Sequence, residues 1–274
     1  MVYLVIYSFW KGIENMNSKT AMNWKIFWLI FMMAEISMFA ALPYSLSISG
    51  DLIYSLGTSL PLLLATQFAQ GTALIIISIV TGLYLGNKLG LRTPLLKSLF
   101  QGRGLPANFK SSLKISVLLG LFLSIIMLLV DKFIFSVYMN SLISFISSPP
   151  LWQRFMYSFY AGIVEEIILR YFLVTILVWI TWKIKRTPED LPTNVGVWLS
   201  IIIVSIIYTL GNILSLSDSL QFNIATYLGY ILLNLMAGSI FGWLYWKKGL
   251  ESAIIANLTA TLMIFTVISS LLPM

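Results

Sequence analysis

Seven apolar stretches of about 20 residues recur along this 274-residue chain, and they constrain its fold more than any other feature. They run Trp24–Leu46, Ser59–Leu85, Leu113–Phe135, Phe155–Trp182, Val195–Leu216, Tyr227–Trp246 and Ala253–Leu271. A helix of that length rises about 1.5 Å per residue and so matches a hydrocarbon layer about 30 Å thick. Inside lipid every backbone polar group must be satisfied internally, which favours helices for continuous apolar runs. The expected fold is therefore all-α, a polytopic membrane bundle of about seven transmembrane helices. Only 10% of the residues are charged and 59% are hydrophobic, against roughly 25% charged in a soluble domain. That excludes a soluble barrel or Rossmann enzyme and a nucleic-acid-binding tail, and it makes membrane lipid the first expected partner.

The charges that remain are segregated. Seven spans place Lys11, Lys19, Lys25, Lys88, Arg92, Lys97, Arg103, Lys110, Lys114, Lys183, Lys185, Arg186, Lys247 and Lys248 on one side. Lys132 and Arg154 fall on the other, and Arg170 falls inside a span. By the positive-inside rule, the N-terminus is expected in the cytoplasm and the C-terminus outside. Residues 1–10 are apolar but too short to span. Residues 1–23 read as an interfacial or cytoplasmic lead-in, with Met16 and Met22 as alternative starts. The longest internal loop, 86–112, is Gly-rich and basic with no acidic residue, and reads as facing lipid headgroups. Gly82/Gly86 and Gly238/Gly242 have the spacing that lets helices approach closely.

Ionisable residues inside spans are expensive and mark candidate sites. Glu35 stands alone in the first span, whereas Glu165, Glu166 and Arg170 share the fourth. Residues four apart lie on nearly one helical face, so Glu166 and Arg170 form an expected structural ion pair. Glu165 is about 100° round the helix from Glu166 and faces elsewhere, which leaves it for chemistry or ligand contact.

The stretch Ala161-Gly162-Ile163-Val164-Glu165-Glu166-Ile167-Ile168-Leu169-Arg170 resembles the first motif of the CPBP family, the CAAX-protease and bacteriocin-processing (Abi) membrane proteins. The family's second motif, Phe-x-x-x-His, corresponds to Tyr208-Thr209-Leu210-Gly211-Asn212. Its third, His with Asn or Asp four residues on, follows a segment similar to Gly242-Trp243-Leu244-Tyr245-Trp246-Lys247-Lys248-Gly249-Leu250-Glu251-Ser252-Ala253 and falls on Asn257 and Thr261. The resemblance divides the chain into N-terminal transmembrane helices, 24–150, and a protease-like core, 151–274.

The resemblance implies an intramembrane endopeptidase scaffold acting on, or binding, hydrophobic or lipidated peptides. By position it makes Glu165 the base, Asn212 the water-orienting residue, and Asn257 and Thr261 the oxyanion donors; as polar residues in a membrane bundle, Asn212 and Asn257 read equally as interhelical hydrogen-bond glue. The chain contains no histidine and no cysteine, so both motif histidines are replaced by Asn. Asparagine holds a water but transfers no proton near neutral pH, and general acid–base assistance contributes about 10²–10⁴-fold. A degenerate or impaired peptidase is expected, with a non-catalytic peptide-binding, immunity or scaffolding protein as the alternative. Two carboxylates without His or Cys make no plausible zinc site, so no metal and no cofactor is expected. A transporter with Glu165, Glu166 and Arg170 lining its path is the reading from another class; an uneven seven spans and no internal repeat stand against it. Counted from the basic ends of their spans, Glu165 and Asn212 should lie about 25 Å deep, and Asn257 and Thr261 about 10–18 Å.

Overall fold

The computed structural model describes residues 23–55, 59–138, 142–216 and 223–271. The lead-in expected over 1–23, with Met16 and Met22, lies outside these residues apart from Asn23. Helix α1 is Trp24–Ser55, α2 is Leu60–Leu89, and α3 is the short Pro94–Phe100. Helix α4 runs Phe109–Val130 and continues through a π-helical segment, Asp131–Phe135, and a last turn, Ser136–Tyr138. Short α5 is Leu142–Ile146. Helix α6 begins at Leu151–Phe159, passes through π-helical segments at Tyr160–Val164 and Ile167–Val174, and ends with Thr175–Ile184. Helix α7 is Asn194–Leu216 and α8 is Ile224–Lys248. Helix α9, Leu250–Leu262, continues through a π-helical segment, Met263–Ile268, into Ser269–Leu271.

Among the described residues, six helices are long and apolar enough to cross a membrane: Trp24–Ile48, Leu60–Leu89, Phe109–Phe135, Asn194–Ser215, Ile224–Lys248 and Leu250–Ile268. The remaining expected span, Phe155–Trp182, is helical throughout as α6, but π-helical segments interrupt its α-helix and it carries Glu165, Glu166 and Arg170 at its middle. The chain is a multi-pass integral membrane protein. Helix α1 runs on past the expected end at Leu46 with Pro43 inside it. Membrane helices tolerate such a proline where neighbouring groups satisfy the freed carbonyls.

Side-chain contacts set the directions of the helices. Phe39 stacks on Phe68 at 4.3 Å and Glu35 meets Thr72, so α1 and α2 are antiparallel. Tyr171 covers Gly82 and Trp182 lies 5.0 Å from the Lys88 ammonium, so α2 and α6 run parallel. Gly238 and Gly242 face Ser205 and Ile201, bringing α8 antiparallel onto α7. A β-carbon at Gly242 would stand 2.6 Å from Ile201. This glycine pair is thus a packing device that lets two helices meet at backbone distance. Gly249, with φ +104°, reverses the chain between α8 and α9 in one residue.

These directions gather Lys88, Arg92, Lys97, Arg103, Lys110, Lys114, Lys183, Lys185, Arg186, Lys247 and Lys248 at one end of the bundle. The Leu250 amide donates to the Arg92 carbonyl there at 3.2 Å. Arg154, at the other end, is buried rather than exposed: its guanidinium donates to the Ser269 hydroxyl. The main core is built from residues of α1, α2, α4 and α6–α9 together.

Candidate functional site

A cavity of about 360 Å³ opens between α1, α4, α6, α7, α8 and α9. Glu165, Arg170, Asn212, Asn257 and Thr261 all line it, among apolar walls that include Leu123, Val204 and Phe241. The four positions singled out by motif therefore meet in one chamber, despite the unequal depths counted along ideal helices. Glu165 and Glu166 are the two α-helical residues between the π-helical segments.

Glu166 is fully buried, and its Oε1 stands 3.1 Å from Arg170 Nη1. The Arg170 guanidinium also lies 5.5 Å from the Phe241 ring. The same Glu166 oxygen accepts from the Asn257 amide at 2.8 Å, and Asn257 donates a second bond to the Ala161 carbonyl at 3.0 Å. Both amide hydrogens of Asn257 are thus engaged by protein acceptors. Thr261 has one hydroxyl hydrogen, set among the carbonyls of Asn257 at 2.9 Å, Ser158 at 3.2 Å and Leu258 at 3.2 Å. Gly162 makes this junction possible: a β-carbon there would lie 2.7 Å from the β-carbon of Leu258 and 2.8 Å from its α-carbon. The small Ala161-Gly162 pair lets α9 press onto α6 until Asn257 reaches across.

Glu165 turns the other way. Its Oε2 accepts from the Tyr208 hydroxyl at 3.0 Å, and Asn212, one turn further along α7, sits beside that hydroxyl. Tyr157, Tyr160 and Tyr230 complete a ring of tyrosines within electrostatic reach of the carboxylate. Reading the sequence for charge and motif missed these tyrosines. Tyr208 was detectable: it precedes Asn212 by four residues, which places both on one helical face. Tyr208→Phe is expected to remove the donor to Glu165 and to destabilise the protein by about 1.5–3 kcal/mol. Thermal unfolding in detergent measures this, and an unchanged midpoint would count against the bond.

Glu35, the carboxylate singled out in the first span, is not among the residues that line the chamber. Its Oε2 accepts from Thr72 at 3.1 Å, and its Oε1 is buried without a hydrogen-bond partner among the described residues. No group of three or more His, Cys, Asp or Glu side chains that could hold a metal occurs among the described residues.

Fold and site together define a polytopic helical membrane protein with a carboxylate-centred chamber between its helices. Residues 147–263 match the family model for type II CAAX prenyl endopeptidase Rce1-like proteins, so this segment of the membrane protein is similar to that CAAX-protease family. The matched segment runs from the end of α5 into the second half of α9 and contains Glu165, Glu166, Arg170, Asn212, Asn257 and Thr261. Neither curated proteins nor solved structures give a match to the chain.

Proposed function

We propose that this chain uses the protease scaffold as a receptor for a hydrophobic or lipidated peptide, with hydrolysis lost or strongly impaired. The observation that carries this reading is the double engagement of the Asn257 amide by Glu166 and Ala161. An oxyanion hole needs preorganised donors aimed at empty space where charge develops. Here the candidate donor ties α9 to a buried ion pair, and the Thr261 hydroxyl is taken by backbone carbonyls. Asn212 supplies hydrogen bonds but no proton transfer, and Glu165 is held by a tyrosine. The chamber still has the character of a binding site. It falls in the range of roughly 300–1,000 Å³ usual for ligand cavities, with apolar walls and a few converging polar groups.

The test is binding of a fluorescent farnesylated peptide, followed by anisotropy in detergent, to the wild type and to Ala237→Phe. Ala237 lines the chamber and is part-buried, so a phenyl ring there fills chamber volume while the Glu165 side chain itself is left unaltered. The variant is expected to weaken binding at least about tenfold, which corresponds to 1.4 kcal/mol. Equal binding by both proteins would place the peptide elsewhere and overturn the reading.

A further inference from the structure

We propose that the segment from α3 to the start of α4 is an interfacial anchor that binds anionic lipid headgroups at the basic end of the bundle. This rests on a different part of the molecule from the chamber and stands independently of its function.

The core holds α3 in place. The Leu96 amide donates to Glu251 Oε1 at 3.0 Å, and the Arg92 carbonyl accepts from the Leu250 amide at 3.2 Å. Leu91 and Thr93 are buried. Gly102 and Gly104, both with positive φ, fold the chain back beyond α3, and Ser98 closes that turn with a 2.7 Å bond to the Gly104 carbonyl. What this fixed element presents outward is of two kinds. Leu99, Phe100 and Leu105 are exposed at 50%, 38% and 59%. Arg92, Lys97, Arg103, Lys110 and Lys114 are exposed around them.

None of those five cations lies within ion-pair distance of a carboxylate among the described residues. Residues 86–112 contain no acid of their own. Of the carboxylates at this end, Glu251 binds the α3 backbone, Asp190 pairs with Arg186 at 2.6 Å, and Glu189 is exposed beside it. Helix α1 starts at this end as well, with Trp24 and Trp28 exposed at 58% and 53%, as tryptophans sit at a membrane–water boundary. An apolar edge set among unpaired cations beside interfacial tryptophans is complementary to an anionic bilayer surface. There the leucines and phenylalanine enter the acyl boundary and the cations meet phosphates. An acidic soluble protein would answer the charge but not the apolar edge.

The chain has no cysteine, so Phe100→Cys and Leu105→Cys each introduce a single labelling site. The labelled full-length protein would be placed in nanodiscs of phosphatidylcholine, with or without phosphatidylglycerol, together with lipid spin-labelled at the headgroup. Strong quenching of both labels in phosphatidylglycerol discs, falling on addition of salt, is the expected result. The combined change Lys97→Gln, Arg103→Gln, Lys110→Gln and Lys114→Gln should lower the retained phosphatidylglycerol at least about tenfold. Should that variant misfold, the salt titration of the singly labelled protein decides the matter. Equal quenching in both lipid mixtures, or shielding of the labels that requires an added acidic protein whatever the lipid, would overturn the proposal.

Discussion

Arg170→Met is expected to destabilise the protein by about 3–5 kcal/mol, the usual consequence of removing one partner from a buried ion pair. Glu166 is inaccessible to solvent and one of its oxygens, Oε2, already lacks a hydrogen-bond partner among the described residues. Without the guanidinium, its Oε1 keeps only the Asn257 amide. The neutralised double variant Glu166→Gln with Arg170→Met should recover most of the loss, because replacing both charges removes the unpaired one. Thermal unfolding of the four proteins of this cycle gives the coupling directly. A coupling near zero would show that the 3.1 Å pair contributes nothing and that the centre of α6 is held by packing alone.

Gly162→Leu is the second large effect. The first added carbon would already stand 2.7 Å from the Leu258 β-carbon, with backbone atoms of α9 at 2.8 and 3.0 Å. Helix α9 must move away, and with it the two bonds from Asn257 to Ala161 and Glu166. Overpacking of this kind costs about 1–3 kcal/mol, to which the lost buried hydrogen bonds add. The expected outcome is a sharp fall in folded protein recovered in detergent, and weakened peptide binding in what remains. Gly82→Ala provides a comparison, since it too creates a clash, with the Tyr171 ring, but away from the chamber. Equal peptide binding by folded Gly162→Leu and wild-type protein would separate the α6–α9 junction from the chamber's function.

The membrane character of the chain was legible because it is written in composition and in the length of apolar runs, which need no tertiary information. The pairing of Glu166 with Arg170 was legible for a similar reason: four-residue spacing is a local property of any helix. What the sequence did not reveal is what depends on contacts between helices. That Asn257 would give both of its hydrogens to α6 follows from how closely Gly162 admits Leu258, which is a fact about two helices. The π-helical segments around Glu165 and Glu166 leave no mark in residue type. Tyr208 was in view at its motif position, but an aromatic on an apolar helix reads as packing until the partner of its hydroxyl is known.

The central claim is that the chamber retains binding without effective hydrolysis. It is tested most directly by incubating the purified protein, and separately Glu165→Gln, with farnesylated CAAX-type and hydrophobic peptides, and following the peptides by mass spectrometry. Peptide that stays intact at the same background rate with both proteins, while still binding the wild type, is the predicted result. Cleavage by the wild type that disappears in Glu165→Gln would contradict it, and would mean that Glu165, Tyr208 and Asn212 activate water without a histidine.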